Sequence, residues 1–126
     1  MFEVTVEKTF AAGHALRGYR GKCENPHGHN YKVRLTLRGA DLDAIGLLYD
    51  FVHVKQILKD ISARLDHQFM NDIEPFDRLN PSAENLAKYF YEEASRRIAE
   101  QRPENGVKIS AVTVWETDTT TATYTP

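Results

Sequence analysis

The chain contains one cysteine and three histidines whose spacing is typical of a metal site beside a reactive thiol. Cys23 lies four positions before His27, and a single glycine separates His27 from His29. Because positions i and i+2 of an extended strand project from the same face, His27 and His29 could bind one ion together. His14 lies further upstream, directly after another glycine. These four side chains are the first candidates for chemistry.

The histidines indicate zinc rather than a harder cation. Three imidazoles with an open fourth position describe a catalytic zinc site, whereas closed structural sites usually need four protein ligands and more cysteines. Magnesium and calcium prefer oxygen ligands, which disfavours them here. Two histidines separated by one residue are by themselves weak evidence for a metal site. Only with the third histidine does the pattern slightly favour a zinc site over a chance arrangement.

The Cys23 thiol has three possible roles. It could be a fourth metal ligand, which would make the site structural, or it could be a base or nucleophile activated by the nearby cation. A free cysteine is most often a small buried apolar residue. The polar and proline neighbours at positions 24–26 make burial of Cys23 in an apolar core the less favoured interpretation.

Asp66 and His67 form a second candidate pair, because an imidazole beside a carboxylate can relay a proton. Adjacent residues need not touch each other, however, and ordinary helix-end chemistry is the more frequent explanation of such a pair. We expect His53 to be a surface or satisfied core histidine, as lone histidines usually are.

The composition is that of a globular intracellular protein. The chain has 126 residues, one cysteine and a net charge of -2 with both signs dispersed. We expect a single domain over residues 1–126 and a reducing, cytoplasmic location without disulfides. The charge pattern argues against a nucleic-acid or membrane-surface role. The N-terminus does not have the pattern of a signal peptide, and no apolar run is long enough to cross a bilayer.

Two strands are predicted to position the histidines. Residues 2–14 and 27–38 alternate apolar with polar side chains, which is typical of half-buried strands. Lys8 interrupts the apolar set of the first strand and suggests a bulge or an exposed stretch. All three histidines share the parity of the apolar residues, so antiparallel pairing of the two strands would bring them together on the packed face.

The rest of the chain is predicted to form two helices followed by two strands. Apolar spacing predicts a helix over 54–65 that ends at Asp66 and His67, and a second helix from Pro81 or Ser82 to about Gln101. Two further strands are predicted over 108–116 and 119–124. The order ββααββ indicates an α+β fold, with a four-stranded antiparallel sheet and both helices on one face.

Five motifs in order resemble one known family over nearly the whole chain. They are Phe10-Ala11-Ala12-Gly13-His14, Cys23-x-x-x-His27-Gly28-His29-Asn30-Tyr31, Leu65-Asp66-His67, Asn80-Pro81-Ser82-Ala83-Glu84-Asn85 and Trp115-Glu116-Thr117. Together they are similar to the 6-pyruvoyltetrahydropterin synthase family, including its bacterial 6-carboxytetrahydropterin synthase branch of queuosine biosynthesis. The resemblance implies the tunnelling fold, in which three subunits close their sheets into a barrel and two trimers stack into a homohexamer with active sites where subunits meet.

The resemblance also implies roles for the motif residues. His14, His27 and His29 match the family's zinc ligands, with one Zn²⁺ per subunit. Cys23 matches its catalytic proton acceptor, and His67 with Asp66 matches its relay pair.

Two glutamates complete the expected site. Glu116 matches the family's pterin anchor, since a carboxylate can accept two parallel hydrogen bonds from the aminopyrimidinone edge. Glu84, in the Asn80–Asn85 motif, is a second candidate for substrate binding.

The implied substrate is 7,8-dihydroneopterin triphosphate. The short spacing between Cys23 and His27 is similar to the queuosine-pathway enzymes, which release acetaldehyde and triphosphate and form 6-carboxytetrahydropterin. The alternatives are the pyruvoyl-forming synthase of tetrahydrobiopterin synthesis and, from another class, a non-catalytic zinc- or pterin-binding module. Arg17, Arg20 and Lys22 are candidate triphosphate ligands, although a solvated basic loop explains them equally well.

Overall fold

The computed structural model describes all residues, 1–126, and confirms the predicted α+β fold and element order. Its strands and helices are β1 Phe2–His14, β2 His27–Gly39, α1 Phe51–Ala63, α2 Ala83–Glu100, β3 Lys108–Thr117 and β4 Thr120–Tyr124, with short 3₁₀ turns at Lys22–Glu24 and Met70–Asp72. The four strands form one antiparallel sheet in the order β1-β2-β3-β4. Both edges of this sheet are therefore strands at the ends of the chain.

The pairing of β1 with β2 sets the position of the histidines. Ala12 lies opposite His29, and His14 lies opposite His27. The register runs without a shift past Lys8, so of the two predicted alternatives the bulge is wrong, and the Lys8 side chain is partly exposed. Since β1 is an edge strand, the long Lys8 stem can lie over the sheet while its amine reaches water.

Side chains cap both helices. The Asp50 carboxylate accepts a hydrogen bond from Val52 N at 2.9 Å, and α1 therefore begins at Phe51, earlier than the apolar spacing alone indicated. The Ser82 hydroxyl accepts from Asn85 N at 3.2 Å, which confirms the predicted start of α2. Each cap satisfies an N–H group that would otherwise lack a partner in the first helical turn.

The core lies between the helices and one face of the sheet. Alternate residues of β2 are fully buried there, beginning with Tyr31, and Phe10 of β1 lies between the Tyr31 and Phe90 rings at centroid distances of 5.2 and 5.8 Å. His14 is also fully buried on this face. Close packing restricts side-chain rotamers, so the core holds one end of the histidine cluster in a fixed orientation. The structure has no helix with the length and apolar character needed to span a membrane.

Candidate metal centre and active site

The three histidines converge at one end of the β1–β2 pair. The candidate ligand atoms of His14, His27 and His29 all lie within 4.8 Å of one another. Their ring centroids are 4.5 to 5.1 Å apart. This convergence follows from the alternation of side chains along each strand together with the observed register. The sequence-based prediction that antiparallel pairing would bring the three imidazoles together is confirmed.

Backbone carbonyls fix the tautomers of two of these imidazoles. His14 Nδ1 lies 2.7 Å from the Pro81 carbonyl oxygen, and His27 Nδ1 lies 2.8 Å from the Asn25 carbonyl oxygen. A carbonyl oxygen can only accept, so each Nδ1 must carry the proton and donate it. In the neutral ring this leaves a lone pair on Nε2, the form in which histidine binds a metal.

The Nε2 atoms of His14 and His27 face each other without a proton between them. His14 Nε2 and His27 Nε2 are 2.9 Å apart, and neither carries a hydrogen in the neutral tautomers just described. His29 Nε2 is buried and has no hydrogen-bond partner. The inward lone pairs of His14 and His27 repel each other at this separation unless a cation lies between them. The donor set therefore fits a nitrogen-preferring divalent cation.

Burial favours the neutral, metal-binding form of His14 and His29. Removal from water lowers the pKa of His14 and of His29, and the negative charge of Glu116 opposes this effect at both sites. Burial, aided by the same charge, raises the pKa of Tyr31, whose hydroxyl lies 3.1 Å from His14 Nδ1. Tyr31 thus stays a neutral phenol beside the cluster.

Glu116 lies next to the cluster but outside it. Its Oε1 is 3.3 Å from His29 Nε2, which is within ion-pair distance but without hydrogen-bond geometry. Glu116 does not belong to the group of mutually close ligand atoms, which contains only the three histidines. The cluster consequently keeps an open fourth position, and the carboxylate stands at its border.

Asp66 and His67 do touch each other, a point that the sequence left open. His67 Nδ1 lies 3.0 Å from Asp66 Oδ1, and the same carboxylate oxygen accepts from Ala11 N at 3.0 Å. The hydrogen bond from Ala11 N–H is the main cause that lowers the pKa of Asp66, and His67 adds to it. Asp66 is thereby held ionised, and the exposed His67 ring keeps its Nε2 free to exchange a proton.

The relay pair is fastened to the edge of β1 beside the cluster. His67 N donates to the Ala11 carbonyl at 2.6 Å, and Gly13 N donates to the Gln68 carbonyl at 2.9 Å. His67 has a φ of 58°, a left-handed conformation that is strained for a residue with a side chain. A cleft of about 370 Å³ is lined by His67 of the relay pair and by His29 of the cluster. One member of each group therefore borders the same cavity.

Cys23 is separated from both groups within one chain. The thiol is half-buried in the loop between β1 and β2 and does not belong to the group of three histidines. Its side chain makes no hydrogen bond to Asp66 or His67, while its backbone carbonyl accepts from Leu16 N at 2.8 Å. The arrangement gives Cys23 no place as a fourth ligand.

Comparison with known proteins identifies the family. A model of the 6-pyruvoyl tetrahydropterin synthase family matches residues 3–126. The chain belongs to the 6-pyruvoyl tetrahydropterin synthase family. It is 33% identical over 122 residues to 6-carboxy-5,6,7,8-tetrahydropterin synthase of Aquifex aeolicus, covering 82% of this chain and 75% of that one. It is 32% identical over 130 residues to the enzyme of the same name from Bacillus subtilis, covering 99% and 86%.

Members of the synthase family with other names and solved structures are also similar. The 6-pyruvoyl tetrahydrobiopterin synthase of Poecilia reticulata is 31% identical over 79% of this chain and 78% of its own. The structure of Caenorhabditis elegans 6-pyruvoyl tetrahydropterin synthase superposes with a TM-score of 0.82 at 28% identity, covering 100% of this chain and 97% of that one. The fold is therefore the tunnelling fold that the resemblance implied.

The remaining predicted site residues lie further out. Glu84 is exposed in the first turn of α2, outside the cluster. The Arg17 Nη2 group donates to the carbonyl oxygens of Phe76 at 2.8 Å and Asn71 at 3.3 Å, so the backbone occupies this nitrogen of the guanidinium. Arg20 and Lys22 are exposed and remain candidates for an anion.

A larger cavity lies elsewhere in the chain. It measures about 660 Å³ and lies between the 41–50 loop and residues 103–105. Its lining includes Asp41, Asp43, Asp50 and Glu104, whose charges would repel a triphosphate. None of the family's motif residues line this cavity. The smaller cleft, which His29 and His67 line, is therefore the candidate site.

One contributor to the site was missed by the sequence argument. The Pro81 carbonyl orients His14 across 67 residues of sequence separation. A backbone carbonyl has no residue-type signal, and only its place in the Asn80–Asn85 motif could have drawn attention to it.

Proposed function

We propose that this member of the synthase family is a zinc-dependent lyase of queuosine biosynthesis. It converts 7,8-dihydroneopterin triphosphate into 6-carboxy-5,6,7,8-tetrahydropterin and releases acetaldehyde and triphosphate. The observation on which this rests is the cluster of three histidines with an open fourth position, of which His29 lines the same cleft as His67, the partner of Asp66. The names of the Aquifex and Bacillus relatives support this product over others.

Zinc suits the donor set, at one ion per subunit. Three histidine side chains, two of them with tautomers fixed by backbone carbonyls, form the open type of zinc site. Bound there, zinc supplies Lewis acidity to the hydroxyl groups of the substrate side chain. His14, His27 and His29 hold the ion, and the Pro81 and Asn25 carbonyls keep two of these rings aimed at it.

The proton transfers belong to Cys23 and the relay pair. Cys23, as the thiolate, accepts a proton from the substrate side chain. The Asp66 carboxylate accepts a hydrogen bond from His67 Nδ1, so His67, which lines the cleft, delivers or accepts a proton at the ring through its Nε2. The side chain is oxidised as the ring is reduced, and a water molecule enters when the carbon–carbon bond breaks, so no nicotinamide or flavin is required.

Charged side chains bind the two ends of the substrate, the pterin ring and the triphosphate. The Glu116 carboxylate, beside His29, accepts two parallel hydrogen bonds from the aminopyrimidinone edge of the pterin and fixes its orientation. Arg20 and Lys22 offer positive charge to the triphosphate. Glu84 is a further candidate for substrate binding, at the exposed start of α2.

The working form is proposed to be a cytoplasmic homohexamer with active sites between subunits. Within one chain Cys23 makes no bond to the relay pair, and β1 and β4 are both open edges that barrel closure would pair. Analytical ultracentrifugation tests this assembly. A monomer under conditions of full activity would contradict it.

Product analysis tests the proposed reaction. The zinc-loaded protein is incubated with 7,8-dihydroneopterin triphosphate, and acetaldehyde is measured by the coupled oxidation of NADH with alcohol dehydrogenase. Stoichiometric acetaldehyde supports the queuosine assignment. Release of triphosphate without acetaldehyde would instead indicate the pyruvoyl-forming reaction named for the Poecilia relative. No turnover of either kind would favour a non-catalytic binding module.

A further inference from the structure

Two asparagine side chains hold the start of the loop that contains Cys23. Ala15 N donates to Asn71 Oδ1 at 2.9 Å, and Asn71 Nδ2 donates to the Ala15 carbonyl at 2.8 Å. Arg17 N donates to Asn80 Oδ1 at 2.9 Å, and Asn80 Nδ2 donates to the Arg17 carbonyl at 2.9 Å. Each amide therefore satisfies both backbone groups of one loop residue.

Leu16, which lies between Ala15 and Arg17, forms its hydrogen bond on the opposite side of the chain. Leu16 N donates to the Cys23 carbonyl at 2.8 Å. Hydrogen-bonding directions thus alternate along residues 15–17 as they do along a strand, with the two amides in place of a neighbouring strand. Fixing Ala15 and Arg17 on one side consequently fixes the direction from which Leu16 holds Cys23 on the other.

The chemistry of the amide is specific to this arrangement. A primary amide presents a donor and an acceptor side by side, which matches the N–H and C=O of one residue. A carboxylate of the same shape could only accept, and it would repel the Arg17 carbonyl. Asn85 Nδ2 in turn donates to the Asn80 carbonyl at 2.9 Å, which ties Asn80 to the first turn of α2.

The same anchor also contacts the metal site. Pro81, the residue after Asn80, accepts the hydrogen bond that orients His14. Asn80 and Pro81 thus touch the thiol loop through a side chain and the histidine cluster through a carbonyl. We infer that Asn80 is a positioning residue that holds the Cys23 loop in register with the three-histidine cluster, with Asn71 in the same role at Ala15. The inference rests on the proposed function only in taking Cys23 as the base.

The test compares Asn80→Ala and Asn80→Asp with a matched control. Asn105→Ala is the control, because the Asn105 amide also holds a loop, donating to the carbonyls of Asp41 at 3.0 Å and Leu48 at 2.8 Å. Those carbonyls lie beyond the end of β2 opposite to His27. An unspecific effect of losing an amide therefore appears equally in the control.

Three measurements are made on the zinc-loaded proteins: tryptic cleavage after Arg20 and Lys22, the pH profile of iodoacetamide alkylation of the single cysteine, and steady-state kinetics. In both Asn80 variants we expect unchanged zinc content, faster loop cleavage and an altered alkylation profile. We also expect kcat to fall about 10-fold or more while KM changes little, since a displaced base slows the chemical step. The aspartate should be no better than the alanine.

Cleavage, alkylation and kcat values of the Asn80 variants equal to those of Asn105→Ala would overturn the inference. Asn71→Ala repeats the comparison at the second amide, so a folding failure of one variant leaves the other to decide. If the wild-type protein does not turn over the pterin triphosphate, the proposed reaction fails. The cleavage and alkylation results still judge the positioning role in that case, because neither needs substrate.

Discussion

Replacing His67 separates its proposed catalytic role from its effect on stability. His67 adopts a φ of 58°, and its ring is 80% exposed and touches only the Asp66 carboxylate. The backbone bonds that fasten this segment to β1 run from His67 N to Ala11 O and from Gly13 N to Gln68 O. They do not involve the ring, so they survive any substitution at position 67 that tolerates the left-handed conformation.

The difference between His67→Gly and His67→Ala isolates the backbone strain, because both variants remove the same imidazole. A left-handed conformation costs a residue with a Cβ atom about 1–2 kcal/mol, and glycine is free of this cost. Glycine gives up about 0.4–1 kcal/mol of this gain through the greater entropy of its unfolded chain. We therefore expect His67→Gly to be more stable than His67→Ala by about 1 kcal/mol, or about 4 °C in Tm for a chain of this length.

Urea unfolding at one protein concentration measures the two free energies of unfolding, and turnover assays are run on the same samples. Both variants should lose turnover by about 100-fold or more, as expected for a proton-transfer residue. Equal stabilities, or a more stable alanine variant, would refute the strain argument. Full turnover in either variant would refute the relay role.

Three further perturbations test other parts of the site and fold. Cys23→Ala should keep its zinc in metal analysis, because the thiol lies outside the histidine cluster. Its turnover in a kinetic assay should fall about 100-fold or more, because the proposed base is lost. Because the pKa of Asp66 is lowered in the fold, its ionised form stabilises the protein at pH values above the ordinary aspartate pKa of about 3.9. This contribution is lost as the pH falls through the lowered pKa. Asp66→Asn should therefore destabilise the protein at pH 7 and progressively less in acid, as urea unfolding can measure. Phe90→Ala should reduce the free energy of unfolding by about 3–5 kcal/mol, because the ring is fully buried against Phe10.

Each of these has an outcome that contradicts it. Loss of zinc from Cys23→Ala would make the thiol a structural ligand. A destabilisation by Asp66→Asn that grows as the pH falls would reverse the sign of the argument for the carboxylate. A change of less than about 1 kcal/mol in Phe90→Ala would mean that the contact between β1 and α2 is not part of a packed core.

Side-chain parity was sufficient to predict the histidine cluster. The alternation of apolar residues placed His14, His27 and His29 on the packed face, and the observed register brings them together. The start of α2 was predictable for a similar reason, since Ser82 is a capping residue that precedes an apolar periodic stretch.

Long-range contacts and edge effects could not be predicted from the pattern. Lys8 in the apolar set indicates a bulge or an exposed stretch, and β1 continues past it without a bulge, because the amine of a partly exposed lysine on an edge strand can reach water. The actual register shifts, between Thr36 and Leu37 and between Trp115 and Thr117, leave no clear mark in the alternation. The Pro81 carbonyl acts through the backbone and depends on how α2 docks, which local sequence does not determine.

The product formed by the zinc-reconstituted protein tests the central claim most directly. The protein is stripped of metal, reloaded with one equivalent of zinc per subunit and incubated with 7,8-dihydroneopterin triphosphate, and the pterin product is identified by mass spectrometry. The account predicts 6-carboxy-5,6,7,8-tetrahydropterin from the reloaded wild-type protein and none from His29→Ala. Unaltered substrate with the reloaded protein, or equal product from His29→Ala, would contradict it.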